Sequence, residues 1–227
     1  MKAFFALLLL LPTLLLAQNP ATSTKALRIF TLGDSNGTFP QSWPQQLKQA
    51  LPNAEVFNIS KSGRTIGFLN NGDSTLNSLL VIDENIRKAA ESAKNQPFDY
   101  VVLELGTNDA KAVFADRQAD VPQNLERLIQ KLKTCPYPAV SRAQIIIISP
   151  PPYGLKAEAQ AKYTGGNERV RHMSSTFKQV AKRNGCRFVN GYKTPGLSIN
   201  TMTADGLHLD ATGSKQLILP VLAILTK

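Results

Sequence analysis

Residues 27–36 read L-R-I-F-T-L-G-D-S-N, and the reading of this stretch decides the rest. An apolar run, Ile29 to Leu32, feeds directly into Gly33-Asp34-Ser35, and small and polar residues follow. That pattern predicts a buried strand, 27–33, which ends in a turn that presents a serine at the carboxyl edge of a sheet. A strand-end serine is useful chemically only if the chain also supplies a base, a group to orient the base, and donors for an oxyanion.

Working outward, four more short apolar runs alternate with helical patterns. Strands are expected at 54–59, 100–105, 145–148 and 187–190. Helices are expected at 42–51, 76–94, 122–133, 166–184 and 211–225, with loops at 66–74 and 110–119. Ser42 is the expected N-cap of the first helix, and Pro44 is tolerated in its opening turn. In the helix at 76–94, Leu79, Leu80, Ile82, Ile86, Ala89 and Ala90 supply the expected apolar face. Near-continuous apolar strands alternating with helices imply parallel strands covered on both faces. The expected fold class is α/β, a three-layer α/β/α sandwich with a five-stranded parallel sheet in flavodoxin-like order. A single domain is expected over 27–227, with no internal repeat or linker.

The N-terminus has a different character. Lys2 precedes an apolar run at 3–17, and polar Gln18-Asn19-Pro20 follows. This reads as a signal peptide over 1–17, cleaved near Ala17, with a flexible leader at 18–26. The run is shorter than the roughly 20 residues of a membrane span, so no membrane insertion is expected after cleavage. No cysteine at the cleavage point offers a lipid anchor. The expected location is exported, either periplasmic or secreted.

Formal net charge is +10, and removal of Lys2 with the signal leaves +9 on the side chains. The basic residues are dispersed, with no run longer than a pair, so the balance argues for a solvated basic surface and against a nucleic-acid partner. Attraction to an acidic glycan or an anionic surface is the other reading. Cys135 and Cys186 each precede or open an expected strand, and whether they are bridged stays open. Two cysteines and two histidines make a zinc site improbable.

In an open parallel sheet, ligands bind outside the carboxyl ends of the strands. The loops there hold Ser35, Gly63, Asn108 and the pair Asp205/His208. The base follows by elimination between two histidines. His172 lies in the helical stretch Arg169-Val170-Arg171-His172-Met173, where a surface or packing role suits it. His208 is three residues beyond Asp205 in a loop, a spacing that lets one turn join carboxylate and imidazole. Gly63 can bring a backbone N–H close to an oxyanion, the Asn108 amide is a donor that pH cannot remove, and the Ser35 N–H is a third. Gly63 and Asn108 taken singly would read as turn residues; their place at two strand ends favours the oxyanion.

Gly33-Asp34-Ser35, Gly63, Gly106-Thr107-Asn108-Asp109 and Asp205-Gly206-Leu207-His208 resemble, in order and spacing, the four blocks of the SGNH (GDSL-type) hydrolases. The resemblance implies Ser35 as nucleophile, His208 as base, Asp205 as its orienting partner, and Ser35, Gly63 and Asn108 as oxyanion donors. It also implies that Asp34 and Asp109 support the loops. No metal or cofactor is called for in such an acyl-enzyme mechanism.

The expected substrate is a small-molecule or glycan ester, with acetyl removal from a carbohydrate leading. A lysophospholipase or thioesterase activity in the same family, or a silent glycan-binding module, are the alternatives. Arg64, Trp43 and Tyr153 are the candidate substrate contacts. For Trp43 a core or helix-packing role outweighs sugar stacking, a solvated loop position suits Arg64 equally well, and Tyr163 joins Tyr153 on the loop expected to wall the pocket.

Overall fold

A computed structural model describes residues 26–226. The expected signal peptide and all but the last residue of the expected leader lie outside them. Five strands, β1 (Arg28–Gly33), β2 (Glu55–Asn58), β3 (Tyr100–Glu104), β4 (Gln144–Ile148) and β5 (Arg187–Val189), form one sheet. All pairings are parallel and the spatial order is β2-β1-β3-β4-β5. The direction in which successive strands are added reverses between β1 and β3, the place where open α/β sheets form a crevice.

The period of two along each strand sorts side chains into two cores. Phe30, Leu32, Val101, Leu103, Ile145 and Ile147 face one layer; Ile29, Val102, Ile146 and Ile148 face the other. The second layer is built by α1 (Trp43–Ala50) and the last helix, while α2 (Ser78–Ser92), α3 (Asp120–Thr134) and the long helix before β5 cover the first. Two one-turn helices, α4 (Pro138–Ser141) and α5 (Leu155–Glu158), are additions that periodicity over so few residues does not reveal. The remaining helices are α6 (Gly166–Arg183) and α7 (Ala211–Leu225). The α7 start is capped by Asp210, whose carboxylate accepts the Gly213 N–H at 2.8 Å.

Four local expectations are corrected. The helix expected from 76 begins at Ser78, because Asn77 accepts the Leu79 N–H at 3.0 Å and the preceding residues form a 3-10 turn, Ser74–Leu76. Leu80 is 61% exposed, not on the buried face; at 100° per residue it lies roughly opposite Ile82. Ser42 occupies the N-cap position of α1 without a side-chain cap bond: Pro44 has no N–H to offer it, and the Gln45 N–H is not met by it. The stretch expected as a loop at 110–119 contains a 3-10 turn, Ala112–Arg117. Cys135 and Cys186 are free thiols, each donating to a nearby carbonyl, of Tyr137 and of Asn184. Among the described residues no helix is long and apolar enough to cross a membrane.

Candidate active site

The turn that leaves β1 carries Asp34 and a 3-10 turn, Ser35–Gly37. Asp34 is buried and accepts the Asn36 N–H at 3.0 Å, which folds the backbone back so that Ser35 emerges at the sheet edge. Ser35 Oγ lies 2.9 Å from His208 Nε2, and His208 Nδ1 lies 2.6 Å from Asp205 Oδ2. The other oxygen of Asp205 accepts the N–H groups of Leu207 and His208, both at 2.9 Å. This fold-back needs a left-handed residue at Gly206, φ +81°, where a Cβ would stand 2.8 Å from the Ala157 nitrogen.

Partial burial by itself would raise the Asp205 carboxyl. The His208 N–H, the imidazole and the Leu207 N–H outweigh it and hold the group below its ordinary range. Asp205 is therefore an ionised acceptor for the Nδ1 proton, which leaves Nε2 with its lone pair towards Ser35.

The expected oxyanion donors lie at the next two strand ends. Gly63 adopts φ +81°, and a Cβ there would meet Leu76 Cδ1 and Asn70 Nδ2, both at 3.2 Å. One amide hydrogen of Asn108 goes to the Arg64 carbonyl at 3.1 Å, which fixes the amide plane and leaves its second hydrogen unused. Among the described residues, no protein group accepts the N–H of Ser35 or of Gly63. Ser35 and Asn108 are 7% and 5% exposed, so a charge developing between them is poorly screened by water.

Beneath these groups lie three buried carboxyls. Burial pushes Asp34 up to about 6, against the Asn36 N–H, Thr107 and the charges of His208 and Lys111, which all lower it. Burial likewise pushes Asp109 up to about 7, although it accepts the Ile66 N–H at 3.0 Å with both oxygens and is also bonded by Gly67. Through those bonds Asp109 ties the loop after Gly63 to the loop after β3. Glu104, at the end of β3, is raised well above its ordinary value by burial and then by Asp34. The Trp43 indole lies beside it and favours the charged form, yet neither oxygen of Glu104 is met in hydrogen-bond geometry.

Three expected substrate contacts take other places. Trp43 is fully buried in the core between sheet and α1, so its ring does not reach the mouth. Arg64 is 4% exposed; its guanidinium donates to the Ile59 carbonyl at 2.5 Å, and burial pulls it down to about 10. Tyr153 is 4% exposed, donates its hydroxyl to the Thr107 carbonyl, and packs edge-on to Tyr163. All three carry large apolar or long aliphatic surface, whose burial is favourable. His172 is exposed on α6 and contacts neither Ser35 nor Asp205.

Two contributors escape the sequence reading. Asn36 Nδ2 donates to the Leu207 carbonyl at 3.4 Å, and its Oδ1 accepts the Leu209 N–H at 2.9 Å, so it grips the chain on both sides of His208. Phe39 stands edge-on to the His208 imidazole at 5.4 Å. Their only sequence signal is proximity to Ser35.

The family model described as GDSL-like Lipase/Acylhydrolase matches residues 29–216, a span that contains every group just described. The chain belongs to this family. The coarse activity is therefore that of an esterase or acylhydrolase. Solved structures agree in fold: a carbohydrate acetylesterase from Sinorhizobium meliloti is similar at 21% identity, covering 88% of this chain and 98% of that one, with TM-score 0.73. An aryl esterase of M. smegmatis is similar at 21% identity, covering 88% and 99%, with TM-score 0.75. No match to a curated protein was found by sequence.

Proposed function

We propose that this GDSL-family hydrolase removes short acyl groups, acetyl above all, from a carbohydrate ester, and that it is exported by the N-terminal segment 1–17. The observation that carries the reading is the unbroken chain Ser35 Oγ–His208 Nε2–His208 Nδ1–Asp205 Oδ2, at 2.9 and 2.6 Å, beside unused N–H donors. Ser35 Oγ attacks the ester carbonyl carbon while His208 Nε2 takes its proton. The oxyanion meets the N–H groups of Ser35 and Gly63 and the free Asn108 hydrogen. His208 then protonates the departing alcohol. Water enters, gives His208 a proton, and releases the acid and Ser35, while Asp205 stays ionised throughout.

Two facts favour a short acyl group on a sugar. No long apolar segment lies between the four sequence blocks to cover an acyl chain, and a solved carbohydrate acetylesterase shares the fold at TM-score 0.73. The test is hydrolysis of p-nitrophenyl acetate by the purified protein and by Ser35→Ala. Serine-dependent turnover should fall by about 10³-fold or more. Equal activity of the two proteins would end the esterase reading at Ser35. Acetate release from a panel of acetylated glycans, set against fatty-acid release from lysophospholipids, then decides the substrate. Release of fatty acid alone would transfer the assignment to a lysophospholipase.

A further inference from the structure

Next to the oxyanion side of the site is a cleft of about 300 Å³, between the turn at 69–72 and the 3-10 turns that follow Asn108. Leu69, Asn70, Lys111, Val113, Phe114 and Lys162 line it. Lys111 Nζ donates to Asn70 Oδ1 at 3.0 Å, and Asn70 Nδ2 donates to the Gly63 carbonyl at 2.6 Å. The ammonium is thus one side chain away from the oxyanion glycine. Asn70 is 2% exposed, so this bridge is fixed and not a chance surface contact. Lys162 joins it: its Nζ stands 4.8 Å from the centre of the Tyr163 ring, and Lys111 Nζ stands 6.0 Å from the same centre.

Two ammonium groups therefore converge on one aromatic ring, and among the described residues neither has a carboxylate within ion-pair distance. Burial, and after it the charge of Lys162, disfavours the charged form of Lys111, while buried Asp34 favours it. Asp73, the acid on the neighbouring turn, is held by Thr75 and faces Lys61. Like charges held close without a counter-ion are unfavourable unless a ligand supplies the missing charge. The exposed side chains of Leu69 and Val113 complete a rim that is apolar beside the two cations.

We propose that this cleft is a subsite for an anionic group, a carboxylate or a phosphate, carried by the ester substrate next to its acylated hydroxyl. The apolar rim takes the carbon face of the sugar, and the two ammonium groups take the anion. The proposal rests on the ester-hydrolase reading of Ser35 and names the substrate class within it, an acidic glycan.

The test compares acetate release from O-acetylated methyl glucuronoside, an O-acetylated sugar phosphate and neutral O-acetylated methyl glucoside. At low ionic strength at least one charged substrate should exceed the neutral one by about tenfold in kcat/KM, chiefly through KM, and high salt should shrink the ratio. The preferred arm identifies the carboxylate or the phosphate as the source. Lys162→Met, at an exposed position with little risk to folding, should cut the ratio severalfold, and Lys111→Met combined with it should bring the ratio near one. Lys178→Met, the same charge change on the exposed side of α6, should leave the ratio unchanged. A wild-type ratio of one, a ratio unmoved by both cleft variants, or an equal loss with Lys178→Met overturns the proposal.

Calorimetric binding of methyl glucuronoside and inorganic phosphate to the Ser35→Ala protein separates the two readings. Binding that disappears with Lys162→Met supports the subsite even if p-nitrophenyl acetate is not turned over, and that failure would count against the esterase reading alone. Turnover of p-nitrophenyl acetate without anion preference or binding would sink the subsite and leave the esterase standing.

Discussion

Asp205 and Asp109 are both aspartates on loops at the carboxyl edge of the same sheet, and each is bonded by the backbone N–H groups of two residues. Their protonation runs in opposite directions. Asp205, whose side chain is 44% exposed and touches an imidazole, is held below the ordinary carboxylate range. Asp109, with no exposure and no basic partner in contact, is pushed up to about 7. Backbone donors alone do not set the charge of a carboxyl; access to water and a cationic neighbour decide it. The edge thus has an ionised upper tier that can stabilise an imidazolium and a lower tier of acids pushed up by burial, which lock the loops together.

The comparison is broken most forcefully by exchanging amide for acid at both places. Asp205→Asn preserves shape but removes the charge and the acceptor that select the Nδ1 tautomer. Its kcat on p-nitrophenyl acetate should fall by about 10³-fold. Asp109→Asn touches no reacting atom and should remain within about tenfold of wild type, its cost appearing in stability instead. Equal losses in kcat would mean that the lower tier takes part in the chemistry.

The next largest effect belongs to Asn36, which links the two tiers sideways. Asn36→Ala leaves the buried Leu209 N–H without its acceptor and frees the chain around His208. A cost of about 1–3 kcal/mol in denaturant unfolding is expected. Loss of the base's position should lower kcat by about 10–100-fold, with KM little changed. An unchanged kcat would show that Asp205 and Gly206 hold His208 unaided. His172→Ala, on the exposed face of α6, should stay within about twofold of wild type.

These contrasts also mark what the sequence made legible. Alternating apolar runs such as 100–105 and 145–148 declare buried parallel strands, so the sheet and its layers were readable. Ser35, Gly63, Asn108, Asp205 and His208 were readable because each occupies a strand-end loop. Depth within a loop was not. Trp43 and Arg64 follow the blocks closely and Tyr153 follows strand four, which makes them candidate substrate contacts, whereas each turns inward to a core or a carbonyl. Lys111 and Lys162 lie fifty-one positions apart in the sequence, and only the meeting of two loops over Tyr163 brings them together. The double grip of Asn36 is invisible for the same reason, since its partners are about 170 residues away.

The smallest effect concerns stability as pH changes. Asp34, at about 6, and Asp109, at about 7, have folded-state values above those of an unfolded chain. Between those values the folded protein binds more protons than the unfolded one, so the slope of unfolding free energy with pH is negative. The stability from these acids is fully present below about pH 4 and is lost as pH rises through about 6 and 7. Carboxyls held low, such as Asp205, Glu84 and Glu168, act with the opposite sign and change only in stronger acid. Between pH 5 and 8 the carboxyl contribution should therefore decline. Asp109→Asn removes one of its two steps, so the stability gap between wild type and this variant should narrow as pH rises. Urea unfolding of both proteins at pH 5, 6.5 and 8 measures the gap. A constant or widening gap would show that Asp109 stays ionised beneath the site, and the division of the edge into a low-titrating and a raised tier would fail there.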